Sequence, residues 1–232
     1  MRSTLLLFIL FFINSLSALS LGDKLLKGAV GDYVVTEQNR LCSLIRIHTL
    51  DGSKITIEEI SFPYSSLPSD IPNWIKDKAL GHTSWSLLQI DIKTNTLEKC
   101  FSFTKNAYLS FSENDSFFLK ILHLPLDLIQ DDERKRIGSP LKEGLDTRKI
   151  WNPELFFEGK KEASPEFTAY KLLYPKDGSP LSGKRIELFF NKSNELFPFP
   201  YWGQITDDSQ ASLKFRVVAS GRNLFSPKKQ PL

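Results

Sequence analysis

The stretch Leu44–Ile60, LIRIHTLDGSKITIEEI, decides the fold class. Apolar and polar residues alternate on both sides of Asp51-Gly52, and a two-residue period belongs to half-buried strands. Asp-Gly accepts the positive φ that a tight antiparallel connection requires. The segment therefore reads as a β-hairpin, with Ile45 and Ile47 inward and Arg46 and His48 outward.

The same alternation recurs along the chain. SWSLLQIDIKTNTLEKCFSF (84–103) gives a second hairpin turning at Lys93–Thr96, and NAYLSFSENDSFFLKIL (106–122) a third turning at Glu113–Asp115. FTAYKLLYPKDGSPLSGKRIELFF (167–190) gives a fourth with a longer connection, and SLKFRVVASG (212–221) a last strand. Two amphipathic helices are expected. In SDIPNWIKDKALG (69–81), Ser69 or Asp70 can cap, Pro72 suits the first turn, and Ile71, Trp74, Ile75 and Ala79 share one face. In LPLDLIQDDERKRIG (124–138), Pro125 opens and Gly138 closes, with acids early and bases late as the helix dipole favours. The fold class that results is mainly β: an antiparallel barrel or half-barrel built from hairpins and covered by two short helices. Between 139 and 166 the pattern lapses. That stretch is either a crossing loop pinned by Trp151, Leu155, Phe156 and Phe157 or a boundary between two sub-domains.

The N-terminus, MRSTLLLFILFFINSLSALSLGDK, places one base at Arg2, an apolar run from Leu5 to Ile13 and then small residues. This is the order of a secretory signal peptide. The apolar run is far shorter than the roughly 20 residues that span a bilayer. Cleavage is expected between Ser17 and Leu21, leaving 21–232 as a single domain that is periplasmic or extracellular and has no transmembrane segment. The first cysteine, Cys42, lies too far on to carry a lipid anchor. In an exported chain two cysteines raise the question of a disulfide. Strand phase puts both Cys42 and Cys100 on outer faces, so the pair is expected either to bridge neighbouring strands or to remain as two free thiols.

Function classes are narrowed mostly by what the pattern lacks. A net charge of +3 with scattered bases gives no basic stripe for nucleic acid. His48, His82 and His123 have no ligand partners at metal-binding spacing. No Gly-x-Ser-x-Gly elbow or phosphate loop occurs, and Asp131–Glu133 reads as a solvated helix face. No enzyme and no cofactor is expected. The unusual feature is aromatic supply, with 18 Phe, 4 Trp and 6 Tyr. Phe62 and Tyr64 in SFPYSSLP, Phe157 in FFEG, and Phe197, Phe199, Tyr201 and Trp202 in FPFPYW lie beside prolines and turns, where backbone signals indicate loops or edges. With Trp74 and Trp85 they form the candidate ligand-binding set. In FPFPYW, alternate residues face opposite ways, so Phe197, Phe199 and Tyr201 make one set and Trp202 belongs to the other.

A leader, then hairpins with a pair of amphipathic helices, resembles the LolA-type periplasmic lipoprotein carriers. The resemblance is architectural and spans most of the chain after the leader. It implies an incompletely closed barrel holding acyl chains in an apolar cavity. The first functional expectation is therefore a non-enzymatic carrier of an apolar small molecule or lipid. The second is an envelope module that docks a protein partner through exposed aromatic loops.

Overall fold

The computed structural model describes residues 19–110, 117–139, 146, 148–207 and 212–229. The expected leader, 1–18, and the expected turn at 113–115 lie outside the described residues. The first half of the chain contains α1 (Leu21–Lys27), β1 (Tyr33–Gln38), β2 (Leu41–Asp51), β3 (Lys54–Pro63), α2 (Ile71–Lys76), β4 (Ser84–Asp91), β5 (Thr96–Ser102), β6 (Ala107–Tyr108) and α3 (Phe117–His123). Short strands follow: β7 (Asp127–Leu128), β8 (Arg136–Ile137), β9 (Lys149–Ile150), β10 (Phe156–Phe157) and β11 (Lys160–Lys161). The chain finishes with β12 (Phe167–Leu173), β13 (Arg185–Asn191), β14 (Trp202–Thr206) and β15 (Ser212–Gly221).

Eleven strands make one antiparallel sheet in the order β6-β5-β4-β3-β2-β1-β15-β14-β13-β12-β7. It is open rather than closed into a barrel, as the half-barrel expectation required. The hairpin that opened the sequence reading forms, with Leu44 opposite Ile60 and Asp51 opposite Lys54, but Arg46, expected to face outward, is buried on the side that Glu58 and Leu224 share. Gly52, at φ +59°, starts its two-residue connection. β1 pairs with β15, so the first and last long strands join the two halves of the sheet.

Both faces of the first half are covered. On one, Cys42, Leu44, Ile60, Phe62 and Trp85 pack beneath Ile71 and Ile75 of α2 and Ala79 just after it. Asp70 caps α2 by accepting from the Asn73 amide at 3.0 Å, and Pro72 sits in its first turn. On the other, Ile47, Ile55, Ile57 and Ile90 pack with Leu25 of α1 and Leu122 of α3. A third cluster, with Leu172, Ile186, Leu188 and Phe190, takes Leu126.

Three readings are corrected. The helix expected over 124–138 does not form. Leu126 is buried in the third cluster and Ile129 in the large one, so the segment crosses the sheet edge with its apolar residues on different sides. A helix would place positions three apart on one side. The segment instead supplies β7, which pairs with Tyr170 and Lys171. Conversely, Phe117–His123, expected as a strand, is helical. Leu119 and Leu122 join one cluster and Ile121 another, and so short an apolar run carries no period that separates helix from strand. Finally, the expected outer faces of the cysteines are covered and both thiols are free. Cys42 opposes Phe62, Ile60 opposes Trp85 and Leu87 opposes Phe101, so Cys100 points to the opposite face from Cys42. Two strands stand between them, a separation of roughly 14 Å, against a limit of about 7 Å between disulfide Cα atoms.

The helix α1 was not expected. Ser20 accepts from the Asp23 amide at 3.1 Å, and the Asp23 carboxylate accepts from the Ser20 amide at 2.9 Å, a reciprocal capping box. Among the described residues no helix is long and apolar enough to cross a membrane.

Candidate functional site

The nominated aromatic residues do not meet around one rim. Phe62 lies 4.7 Å from Trp74, ring centre to ring centre, and with Trp85 belongs to the core under α2. Phe197, Phe199 and Tyr201 are buried in the other core, where Phe157 packs on Phe197 at 5.6 Å. Pro198 and Pro200 hold this run as an inward plug, so the three rings bury together, and Trp202, expected on the opposite side, starts β14 half-buried against the same core. Its ring stands edge-on to Trp151 and Phe189, both at 5.1 Å. Gly203 follows because the Phe215 ring crosses it; a Cβ there would lie 2.2 Å from that ring. Tyr64 is exposed at 39%. The ring that most faces solvent among the described residues is Phe225, at 82%, which the sequence reading did not single out.

What distinguishes the two halves of the sheet is how they hold charge. In the first half, Glu58 is fully buried and fully engaged. It accepts from Trp85 Nε1 at 2.8 Å, Ser226 Oγ at 2.5 Å and Arg46 Nε at 2.7 Å. Arg46 also donates to the Leu224 carbonyl at 2.6 Å and to His48 Nδ1 at 2.6 Å. Because a guanidinium only donates, His48 Nδ1 accepts here and the ring proton sits on Nε2. Burial acts to raise the Glu58 carboxyl, but the Arg46 charge and the hydrogen bonds from Ser226 and Trp85 outweigh it and hold it below the ordinary range. Lys228 then lies over Trp85 at 5.0 Å and Phe103 at 4.9 Å. The network fastens residues 224–228 across the sheet.

In the second half, two recesses flank the start of β12. The larger is an open cleft of about 590 Å³ between the 130–134 turn, Ile150–Asn152 and Phe167–Ala169. Its floor is the outward edge of β12: Ile129 donates to the Ala169 carbonyl at 2.9 Å, and the next outward carbonyl, of Phe167, accepts from Arg134 Nη1 at 3.0 Å. The Arg134 side chain is 9% exposed and bonds Asn152 Oδ1 at 2.6 Å, while its Nε has no partner among the described residues. Lys192 and Glu166, paired at 3.2 Å, close one end. The smaller recess, about 190 Å³, lies between α1 and the β12–β13 hairpin, and Thr168 borders both. It is lined by Lys24, a residue only 9% exposed.

Neither Lys24 nor Arg134 was singled out from sequence. Lys24 falls three residues after Leu21 and one before Leu25, so recognising the Ser20–Asp23 box would have put a lysine on the buried side of a helix. Arg134 carried no such signal, because it stood in a segment read as a solvated helix. No group of three His, Cys, Asp or Glu among the described residues could hold a metal ion.

Comparison with solved structures gives a hypothetical protein from Chlamydia trachomatis, CT021, determined at 2.0 Å. It is 24% identical, the match covers 92% of this chain and 98% of that one, and the TM-score is 0.65. The likeness is one of fold. Comparison with curated proteins found no match. The family model described as CT021 protein matches residues 43–163, which run from β2 through α2, the β4–β5 hairpin and the Arg134 turn to β11. By that match, over more than half of its length, the chain belongs to the CT021 protein family.

Proposed function

We propose that the protein is an exported, non-enzymatic binding module that holds an extended segment of an envelope protein in the cleft at the free end of β12. The observation that carries this reading is the cleft floor. β7 covers Tyr170 and Lys171 and the Ile129 amide takes the Ala169 carbonyl, so the strand edge opens onto the 590 Å³ groove at Phe167 and Thr168. An uncovered edge offers backbone donors and acceptors to an added strand. Arg134 occupies the Phe167 carbonyl and is available to exchange that neutral acceptor for one on the incoming chain. Export rests on the order of charge, apolar run and small residues in 1–20.

The acyl-carrier reading is favoured by the open, half-barrel sheet. It is weakened by the aromatic set expected to line its cavity, because Phe62, Trp85, Phe197, Phe199 and Tyr201 fill two separate cores. A photocrosslinking amino acid at Gln130 or Lys192, on the cleft, and at Lys78, away from it, separates the two in intact cells. A discrete protein adduct from the cleft positions and none from Lys78 is expected. Lipid adducts, or no adduct from the cleft together with saturable binding of an apolar fluorescent probe, would overturn the docking reading.

A further inference from the structure

The recess beside Lys24 is a separate feature and stands independently of the cleft. Its ammonium lies 4.3 Å from the centre of the Phe190 ring and 5.5 Å from that of Tyr170. Cation–π contact of this kind stabilises a cation on the ring side. An ammonium carries three N–H donors, and rings accept them poorly compared with oxygen. Among the described residues the Lys24 ammonium makes no hydrogen bond or ion pair. Buried charges in folded proteins are ordinarily paired, since an unpaired one forfeits its hydration without return. Burial and the neighbouring Lys27 hold the amine below its ordinary range, and Glu195 opposes them.

The rest of the lining fits one kind of molecule. Lys27 adds a second cation to the recess, and Glu195 is its one carboxylate. Leu19, Leu196 and the Phe190 ring supply apolar wall. At about 190 Å³ the recess suits a small molecule rather than a long acyl chain. We propose that this recess is a binding site for a small carboxylate with a short apolar tail, its head on Lys24 and Lys27 and its tail against Phe190 and Leu196. A carboxylate gives Lys24 the charge-assisted acceptor that the fold withholds, and the tail covers the surface of Leu196, which is 64% exposed.

Sodium butyrate, with six heavy atoms, is the probe. In an NMR titration of the purified protein it is expected to shift amides of α1 and of 168–196 saturably, with Kd on the order of 1 mM. Lys24→Met should weaken binding by about tenfold or more, as loss of a charged hydrogen bond does. Lys27→Gln, at an exposed position, should weaken it by about threefold. Sulfate and butylamine are the comparators, and both should bind at least tenfold more weakly than butyrate. Equal binding of butylamine, unchanged affinity in Lys24→Met, or no saturation overturns the site. Sulfate binding as tight as butyrate overturns the assignment of a tail. Should Lys24→Met fail to fold, Lys27→Gln decides alone, and an unchanged Kd there counts against the proposal.

Discussion

Glu58 and Lys24 are both ionic groups buried against one sheet, and they are treated in opposite ways. Both Glu58 oxygens are engaged, Oε1 by Trp85 and Ser226 and Oε2 by Arg46, and those bonds tie the C-terminal segment to β2–β4. Lys24 has two rings and no acceptor. A closed polar network fixes a chain, because removing any member strands the others. An open one leaves bonding capacity that only something outside the fold can fill.

The largest effect expected follows from breaking the closed network. Glu58→Ala leaves the Arg46 guanidinium buried without its carboxylate and should lower stability by about 3–5 kcal/mol, read from urea unfolding. A loss below 1 kcal/mol would mean that the network is not what holds 224–228 in place. Phe199→Ala should cost about as much, 3–5 kcal/mol, because that ring is 5% exposed within the large core. Trp202→Ala, at the half-buried start of β14, should cost about 1–2 kcal/mol. Equal losses for the two would show that the FPFPYW plug has no inner and outer member.

A titration sharpens the same contrast. The Glu58 carboxyl is held below its ordinary value in the folded protein, so its contribution to stability is complete above the unfolded value, about pH 4.3. It is lost as pH falls through the lower folded value. Urea midpoints from pH 7 down to 3 should therefore fall more steeply for the wild type than for Glu58→Gln. Parallel curves would remove Glu58 from the acid response. Lys24→Met should be nearly silent, between no change and about 1 kcal/mol of added stability, since a buried unpaired charge is replaced by an apolar chain of similar length. The thiols should show no change at all while the protein is folded. Burial, with Glu37 adding, pushes the Cys42 thiol up to about 11, and burial also raises Cys100. Alkylation is expected at neither thiol in buffer and at both in urea, and a single bridged species would contradict their placement on opposite faces.

Period-two alternation made the long hairpins legible, because β2–β3, β4–β5 and β12–β13 each set apolar residues on a face that one core claims. α2 was legible from Asp70, Pro72 and the spacing of Ile71 and Ile75, but it ends at Lys76, short of Ala79, which takes a positive φ of 48°. The segment 124–138 was not, because its charges follow helix rules while Leu126 and Ile129 answer to different cores. Strand phase also misled at the cysteines: the outer face of β2 becomes interior once α2 and residues 224–228 cover it. On β5, the register with β4 shifts between Gln89 and Ile90, so Leu97 and Phe101 do not share a face. The site residues were the least legible. Lys24 becomes notable only when a buried cation is seen to lack an anion, and Arg134 only when its guanidinium is seen to hold the Phe167 carbonyl and Asn152, which no pattern along the chain records.

The seam between the two halves, where β1 pairs with β15, bears on when the molecule can fold. Tyr33 and Gly221 are opposite one another at that seam, so its closure waits for nearly the whole chain. Contacts of such sequence separation slow folding, since loop closure precedes the stabilisation it brings. Each half, while it waits, has an unpaired long strand, and neither edge is blunted by the short strands that end the finished sheet. The seam can therefore close only after β15 has been made, so the joining of the two halves is the late step in forming the sheet.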